Sequence, residues 1–402
     1  MIIFLTFYFV LCSHFSALNL LQMNKTIGQL TKQIRDFVYE HNLRAYSAPV
    51  ELGGGGAPGA ELPGYRAAPG TQPAPATNSS ASSGQEIVNL QETAVLQIVD
   101  RLKLCAHRCQ YTPSGPLVEM KKTIKSLEEA FAKFIELIIS AEMRTVLRVL
   151  ETRGQDPGAV VDAVNTIINL GNEHSSQMYA VITRVGTIRA LVSLATHASS
   201  MEVKLLSLRA ISSVCCTIEA VRELEQCRGL ATVSNILVSP RTSLTVKVEA
   251  AGVLAQITSP WIADNHSIAG LREQVPRLVE QLTKLARVHA GDDTFLLVSA
   301  ALANLTFMEA AAVVSMQRQH TARALMRVVS DSPFTSLFAK DQVVTVLANL
   351  AGKEEARHDI LAEDGLSFLV TLLDTNPEHT ATPAETAAAE RVLKKTAIAL
   401  SR

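Results

Sequence analysis

The 402-residue sequence is poor in aromatic side chains: Phe, Tyr and Trp make up 5% of it, and Trp occurs once, at Trp261. Because 48% of the residues are hydrophobic all the same, a core has to be built from Ala, Leu, Val and Ile, a composition that suits stacked helices. An excess of charge is missing too. With 37 basic and 38 acidic residues the formal net charge is -1, so no global field draws in phosphate backbones or anionic lipid, and nucleic acid is excluded as a first choice of partner. Catalytic signatures are absent as well. There is no G-x-S-x-G, H-E-x-x-H or Walker A run, and none of the ten histidines stands at a motif spacing from a nucleophile or acid. Six cysteines lie at 12, 105, 109, 215, 216 and 227. They show neither the paired C-x-x-C spacing of a zinc site nor a secreted disulfide framework, and they read as small buried thiols. These absences point to a non-enzymatic protein with no metal and no cofactor.

Residues 1–22, "MIIFLTFYFVLCSHFSALNLLQ", carry no Lys, Arg, Asp or Glu. A signal peptide or an anchor is one reading. The segment lacks a basic leading region and an A-x-A-like cleavage site, and about 20 apolar residues only reach the lower edge of a spanning helix. The reading adopted is an alternative or mispredicted start. Among the glycosylation sequons, those at Asn24 and Asn78 fall in loops, whereas the one at Asn304 falls inside a helical pattern that no glycan would fit. Residues 26–44 predict one short helix of marginal stability on its own. Residues 45–85, rich in Gly, Pro, Ala and Ser, predict a disordered linker. Gly54, Gly56 and Gly59 satisfy G-x-G-x-x-G inside it, with no strand before and no helix after, so no nucleotide is implied.

From 86 onward the periodicity is helical. Ile87, Leu90, Ala94, Ile98, Leu102 and Cys105 mark one amphipathic face, and Met120, Ile124, Leu127, Phe131, Phe134 and Ile138 mark another. The second keeps a heptad rhythm. It suits either a coiled-coil seam with another chain or, as adopted, a helical hairpin within residues 86–152. "RGQDPG" at 153–158 then breaks the helix.

Similar five-residue runs follow: "TIINL" 166–170, "AISSV" 210–214, "VLAQI" 253–257, "ALANL" 301–305, "VLANL" 346–350 and "TAIAL" 396–400. Their last residues, Leu170, Val214, Ile257, Leu305, Leu350 and Leu400, are separated by 44, 43, 48, 45 and 50 positions. Such periods mark an armadillo or HEAT array. A second element recurs between the runs, a glycine followed by an aliphatic helix, at Gly186, Gly229 and Gly365. Stretches near 258–290 and 306–330 read as looser, with "PWIADNHS" and "PFTSLFAKD" as inserted loops. The fold class expected is therefore all-α: an armadillo-repeat right-handed α-solenoid over 153–402, truncated in its last unit, preceded by the helical hairpin and the linker.

The residue before each final aliphatic of the first five runs is polar: Asn169, Ser213, Gln256, Asn304 and Asn349. In a helix that residue points about 100° away from the core side chain, onto the edge of a superhelical groove. An amide there offers donors and an acceptor to the backbone of an extended peptide. The same groups suit hydrogen bonds to neighbouring repeats, and the pattern leaves both open.

The runs "SLRAISSVCCTIEAVRELEQCRGLATVSNIL", "KVEAAGVLAQITSP", "FLLVSAALANLTF", "DQVVTVLANL" and "TPAETAAAERVLKKTA" resemble the armadillo core of the Inscuteable family, over about 86–402. The resemblance implies an intracellular scaffold at the apical cell cortex that links the Par polarity complex, through Bazooka, to the tetratricopeptide domain of Pins and its heterotrimeric G-protein and spindle machinery, orienting the spindle in asymmetric division. Residues 1–50 show no match to the segment by which family members thread the Pins groove. Other armadillo adaptors fit less well. Transport receptors carry a Trp ladder, and adhesion scaffolds a strongly basic groove.

Overall fold

The computed structural model describes residues 79–109, 116–152, 156–172, 176–262, 267–288, 291–332 and 335–402. The expectations for 1–22, 26–44 and most of the linker lie outside them. Among the described residues there are seventeen α-helices, one 3-10 turn and no strand, and no helix is long and apolar enough to cross a membrane. The chain divides into two units, residues 1–142 and 143–402.

The first unit contains α1 (Ser79–Cys109) and the first part of α2 (Pro116–Glu151), linked by Gln91 Nε2 donating to Ala130 O at 3.0 Å. Two details differ from the sequence reading. Helix α1 reaches back to Ser79, into the segment assigned to the linker, because nothing after Pro75 forbids helical backbone. Its buried stripe is Val95, Val99, Leu102 and Cys105, while Ile87 and Leu90 are exposed. The division between units falls inside α2, since Met143, Leu147 and Leu150 at its C-terminal end are core positions of the second unit.

The second unit is an α-solenoid. After α3 (Pro157–Gly171), three helices repeat: α4 (Ser176–Arg184), α5 (Thr187–His197) and α6 (Met201–Val214); then α7 (Ile218–Gln226), α8 (Gly229–Val238) and α9 (Leu244–Ile257). A two-helix unit follows, α10 (Leu271–Arg287) and α11 (Asp292–Met308). Two further triplets complete the array: α12 (Ala310–Arg318), α13 (Thr321–Asp331) and α14 (Leu337–Ala351); α15 (Glu354–Ala362), α16 (Gly365–Leu372) and α17 (Pro383–Ser401). The third helices, α3, α6, α9, α11, α14 and α17, pack on one another in succession. Three-helix units stacked in this way define the armadillo repeat. Residues 306–330 are the end of α11, α12 and most of α13, interrupted at Glu309 and Gln319–His320, and "PFTSLFAKD" is not a loop throughout, because Ser336 caps α14 from within it, accepting from Ala339 N.

Most third helices start on a side-chain cap: Asp156, Ser200, Ser243, Ser336 and, as a full capping box with Glu385, Thr382. Each cap satisfies a backbone N–H that the helix leaves without an internal partner. The turn between first and second helices works differently. Gly186, Arg228, His320 and Asp364 stand there with φ of 85°, 58°, 52° and 61°. The recurring glycines thus split into two roles. Gly186 supplies the positive φ, whereas Gly229 and Gly365 come one position later, where a Cβ would lie 2.3 Å from Leu224 Cδ1 and 2.3 Å from Ile360 Cγ2.

Candidate functional site

Each third helix packs against first or second helices and the third helices beside it, which buries most of the surface of α9, α11 and α14, and keeps a narrow, mostly part-buried stripe, the open face. On α14 the accessible positions are Phe338, Gln342 and Asn349, and on α11 they include Leu297, Ala300 and Phe307. The spacing of three, four or seven places them in one stripe per helix. The ladder residues belong to this face, one on each of five consecutive helices.

The structure shows how each is used. Asn169 is exposed at the end of α3. Ser213 donates to Ala210 O in its own helix at 2.9 Å. Gln256 Nε2 donates to Cys215 O at 3.3 Å. Asn304, 8% exposed, donates from Nδ2 to Ala255 O at 2.8 Å. Asn349 Nδ2 donates to Thr306 Oγ1 at 2.6 Å. Three of the five thus reach back to the C-terminal end of the preceding third helix, two of them onto carbonyls of the kind a helix end leaves without internal partners and the third onto a threonine hydroxyl. These are the hydrogen bonds to neighbouring repeats that the pattern left open.

Ionic links that the spacing of the runs did not single out cross the same layer. Arg209 on α6 pairs with Glu249 on α9, Nε to Oε1 3.1 Å, and that carboxylate holds the guanidinium more firmly protonated. Asp341 on α14, its side chain 3% exposed, takes Arg391 Nε at 2.8 Å and Lys395 Nζ at 2.6 Å from α17. Lys395 also donates to Thr345 Oγ1 at 2.6 Å, and Arg402 Nη1 to Ala348 O at 2.6 Å. A signal for this cluster does exist in the sequence: one acid within the apolar run 337–351, and two cations four positions apart on the next third helix.

The thiols lie beside the ladder. Cys215 is fully buried, and burial pushes its pKa up; the pKa of the half-buried Cys216 is raised for the same reason. Protonated thiols in this setting are poor nucleophiles. The Tyr179 hydroxyl donates to Gly171 O at 2.8 Å, and its burial likewise raises its pKa. Trp261 is 80% exposed just after α9, away from any ladder. Between α13 and α16 lies a cleft of about 700 Å³ lined by both signs of charge, among them Arg323, Arg327, Lys340, Glu363 and Asp374.

Residues 76–402 match the family model described as the C-terminal region of Protein inscuteable. The chain is 28% identical over 329 residues to the Protein inscuteable homolog of Mus musculus, covering 80% of this chain and 56% of that protein. Against the Homo sapiens homolog it is 28% identical over 319 residues, covering 77% and 54%. The chain therefore spans little more than half the length of these curated relatives. Among solved structures, a designed armadillo repeat protein aligns with a TM-score of 0.49 at 18% identity, over 63% of this chain and 98% of its own. The crystal structure of an engineered protein aligns with a TM-score of 0.50 at 19% identity, over 80% of this chain and 75% of its own.

Proposed function

The chain belongs to the Inscuteable C-terminal family, and from that premise we propose that it is a non-enzymatic scaffold linking the apical Par complex, through Bazooka, to Pins and the heterotrimeric G-protein and spindle machinery. In this reading it works in the cytoplasm at the apical cortex and orients the mitotic spindle in asymmetric division. The observation that carries the binding role is the open face of the third helices. Five in succession carry a polar ladder residue on or just beneath it, Asn169 exposed, Ser213, Gln256 and Asn349 part-buried and Asn304 buried, and an extended segment lying along them is matched by spaced donors and acceptors. Asn169, Ser213, Gln256, Asn304 and Asn349 are its candidate contacts. Asn169 is the most accessible, while Asn304 mainly shapes the floor. Each hydrogen bond to a partner backbone contributes about 0.5–1.5 kcal/mol net.

Calorimetric titration of the full chain with Bazooka fragments and, separately, with the Pins tetratricopeptide domain tests this. Saturable binding to Bazooka supports the polarity-complex half of the scaffold, and binding to Pins supports the other half. Heat from neither overturns the linking role and leaves a general armadillo peptide adaptor, of the transport or adhesion kind, as the reading to pursue.

A further inference from the structure

We infer that the α14–α17 end of the open face is a subsite for acidic side chains of an extended partner segment, gripped by Arg391 and Lys395. The inference rests on the adaptor reading above and adds the chemistry of the partner. Its first support is a surplus of charge. The buried carboxylate of Asp341 needs one cation to be neutralised, and it has two, Arg391 at 2.8 Å and Lys395 at 2.6 Å. Their side chains are 46% and 28% exposed. One of the two positive charges therefore has no counter-charge within the trio, and both cations are accessible enough for an incoming anion to supply it.

The second support is geometry. Arg391 meets Asp341 through Nε, which leaves the paired Nη edge of the guanidinium for a carboxylate to engage with two hydrogen bonds. Gln342, next to the buried Asp341, and Asn349 one heptad on are part-buried positions of α14, so a segment anchored by its acidic side chain at α17 continues over them to the ladder.

The third is the polarity of the layer. Helix α3, at its other end, contains no Lys or Arg and one acid, Asp162, whereas α17 carries Arg391, Lys394 and Lys395 against Glu385 and Glu390, and Glu385 is already engaged in the cap at Thr382. In between, Arg209 is already matched by Glu249. Acidic residues of a bound segment are complementary to the α17 end, which sets the direction in which the segment lies. The cleft between α13 and α16, lined by both signs, has no such preference.

The test is fluorescence anisotropy on the full chain with labelled octa-glutamate, octa-glutamine and octa-lysine peptides at low and high salt. Octa-glutamate should bind in a salt-sensitive way and the other two should not. Arg391→Gln, which leaves Lys395 on Asp341, should weaken binding about tenfold. The triple variant D341N/R391Q/K395Q removes the cations without stranding a buried carboxylate and should abolish it, with circular dichroism unchanged. Lys284→Gln, on α10 and paired with Glu280, should have no effect. Equal binding of octa-glutamine, no binding of any peptide, or octa-glutamate binding indifferent to Arg391→Gln and the triple variant each overturns the subsite. The adaptor reading fails separately: if Bazooka fragments bind wild type and triple variant equally, the subsite is wrong and the adaptor stands. If neither Bazooka nor Pins binds wild type, the adaptor is wrong whatever octa-glutamate does.

Discussion

The third helices and the turns between first and second helices recur together along the array, yet they are held by opposite means. The third helices are tied by polar groups that cross from one helix to the next: Gln256 to Cys215, Asn304 to Ala255, Asn349 to Thr306, and Arg391 with Lys395 to Asp341. The turns are set by backbone shape. Gly, Arg, His and Asp all serve at positive φ with no side-chain cap, because what the turn requires there is a conformation and not a contact. One layer depends on which atoms its side chains present, the other on which volumes they avoid. Substitutions that separate atoms from volumes test that division.

The largest effect is expected at Asp341. Asp341→Ala removes two charge-assisted hydrogen bonds from a buried acceptor and should cost about 3 kcal/mol, measured by urea unfolding. Lys284→Ala, which breaks the exposed pair with Glu280, should cost no more than about 0.5 kcal/mol. Equal losses would show that burial does not distinguish the links of the inner layer. Next comes the turn. Gly365→Ala brings a Cβ within 2.6 Å of the Ile360 carbonyl oxygen, a backbone atom that cannot rotate away, and should lose about 1–3 kcal/mol. Gly186→Ala meets nothing within 4 Å but sits at φ 85°, so its loss should be nearer 1 kcal/mol. The reverse order would mean that conformation outweighs volume at both positions.

Much of this was legible in the sequence, and the misses have physical causes. The period of the five-residue runs found every third helix, because a buried helix packed on both sides repeats its small and aliphatic residues faithfully. The turns were legible only where glycine marked them. At Arg228, His320 and Asp364 the positive φ is taken by residues that do not advertise it, which is why Gly186 was first aligned with Gly229 although it corresponds to Arg228. The ladder was visible as a polar position, but the choice between neighbour and ligand depends on what lies across the interface, and periodicity along one helix does not report that. The Asp341 cluster joins residues 50 and 54 positions apart, and only the stacking of α17 on α14 brings them together.

Asn304 sharpens the comparison within the inner layer. Asn304→Ala leaves the Ala255 carbonyl without its donor in a nearly closed site and should cost about 1–3 kcal/mol. Asn169→Ala, exposed on α3, should stay within about 0.5 kcal/mol of wild type. A stability loss at Asn304 also governs how binding data are read. A weaker complex in that variant reports on the groove only if its unfolding midpoint still lies well above the assay conditions. Asn169→Ala is the cleaner probe of contact, since a loss of affinity there comes without a loss of fold.

The smallest effect lies in the outer layer and concerns a charge that is buried without a matched partner. Glu223, half-buried on α7, has its pKa raised above the usual 4.5, first by burial, with Arg189 pulling the other way. A carboxyl whose folded pKa is raised favours the fold most when protonated. Its contribution is therefore complete below its unfolded value and is lost as pH rises through the folded one. Glu223→Gln keeps the shape and removes the charge, so it should melt higher than wild type near pH 7 and converge with it near pH 4. Thermal melts of both proteins across that range decide the point. A Gln variant that melts lower at neutral pH would show that the attraction of Arg189 outweighs the cost of burial. The outer layer would then be held by paired charge as well as by shape, and the contrast with the Asp341 cluster would become one of degree.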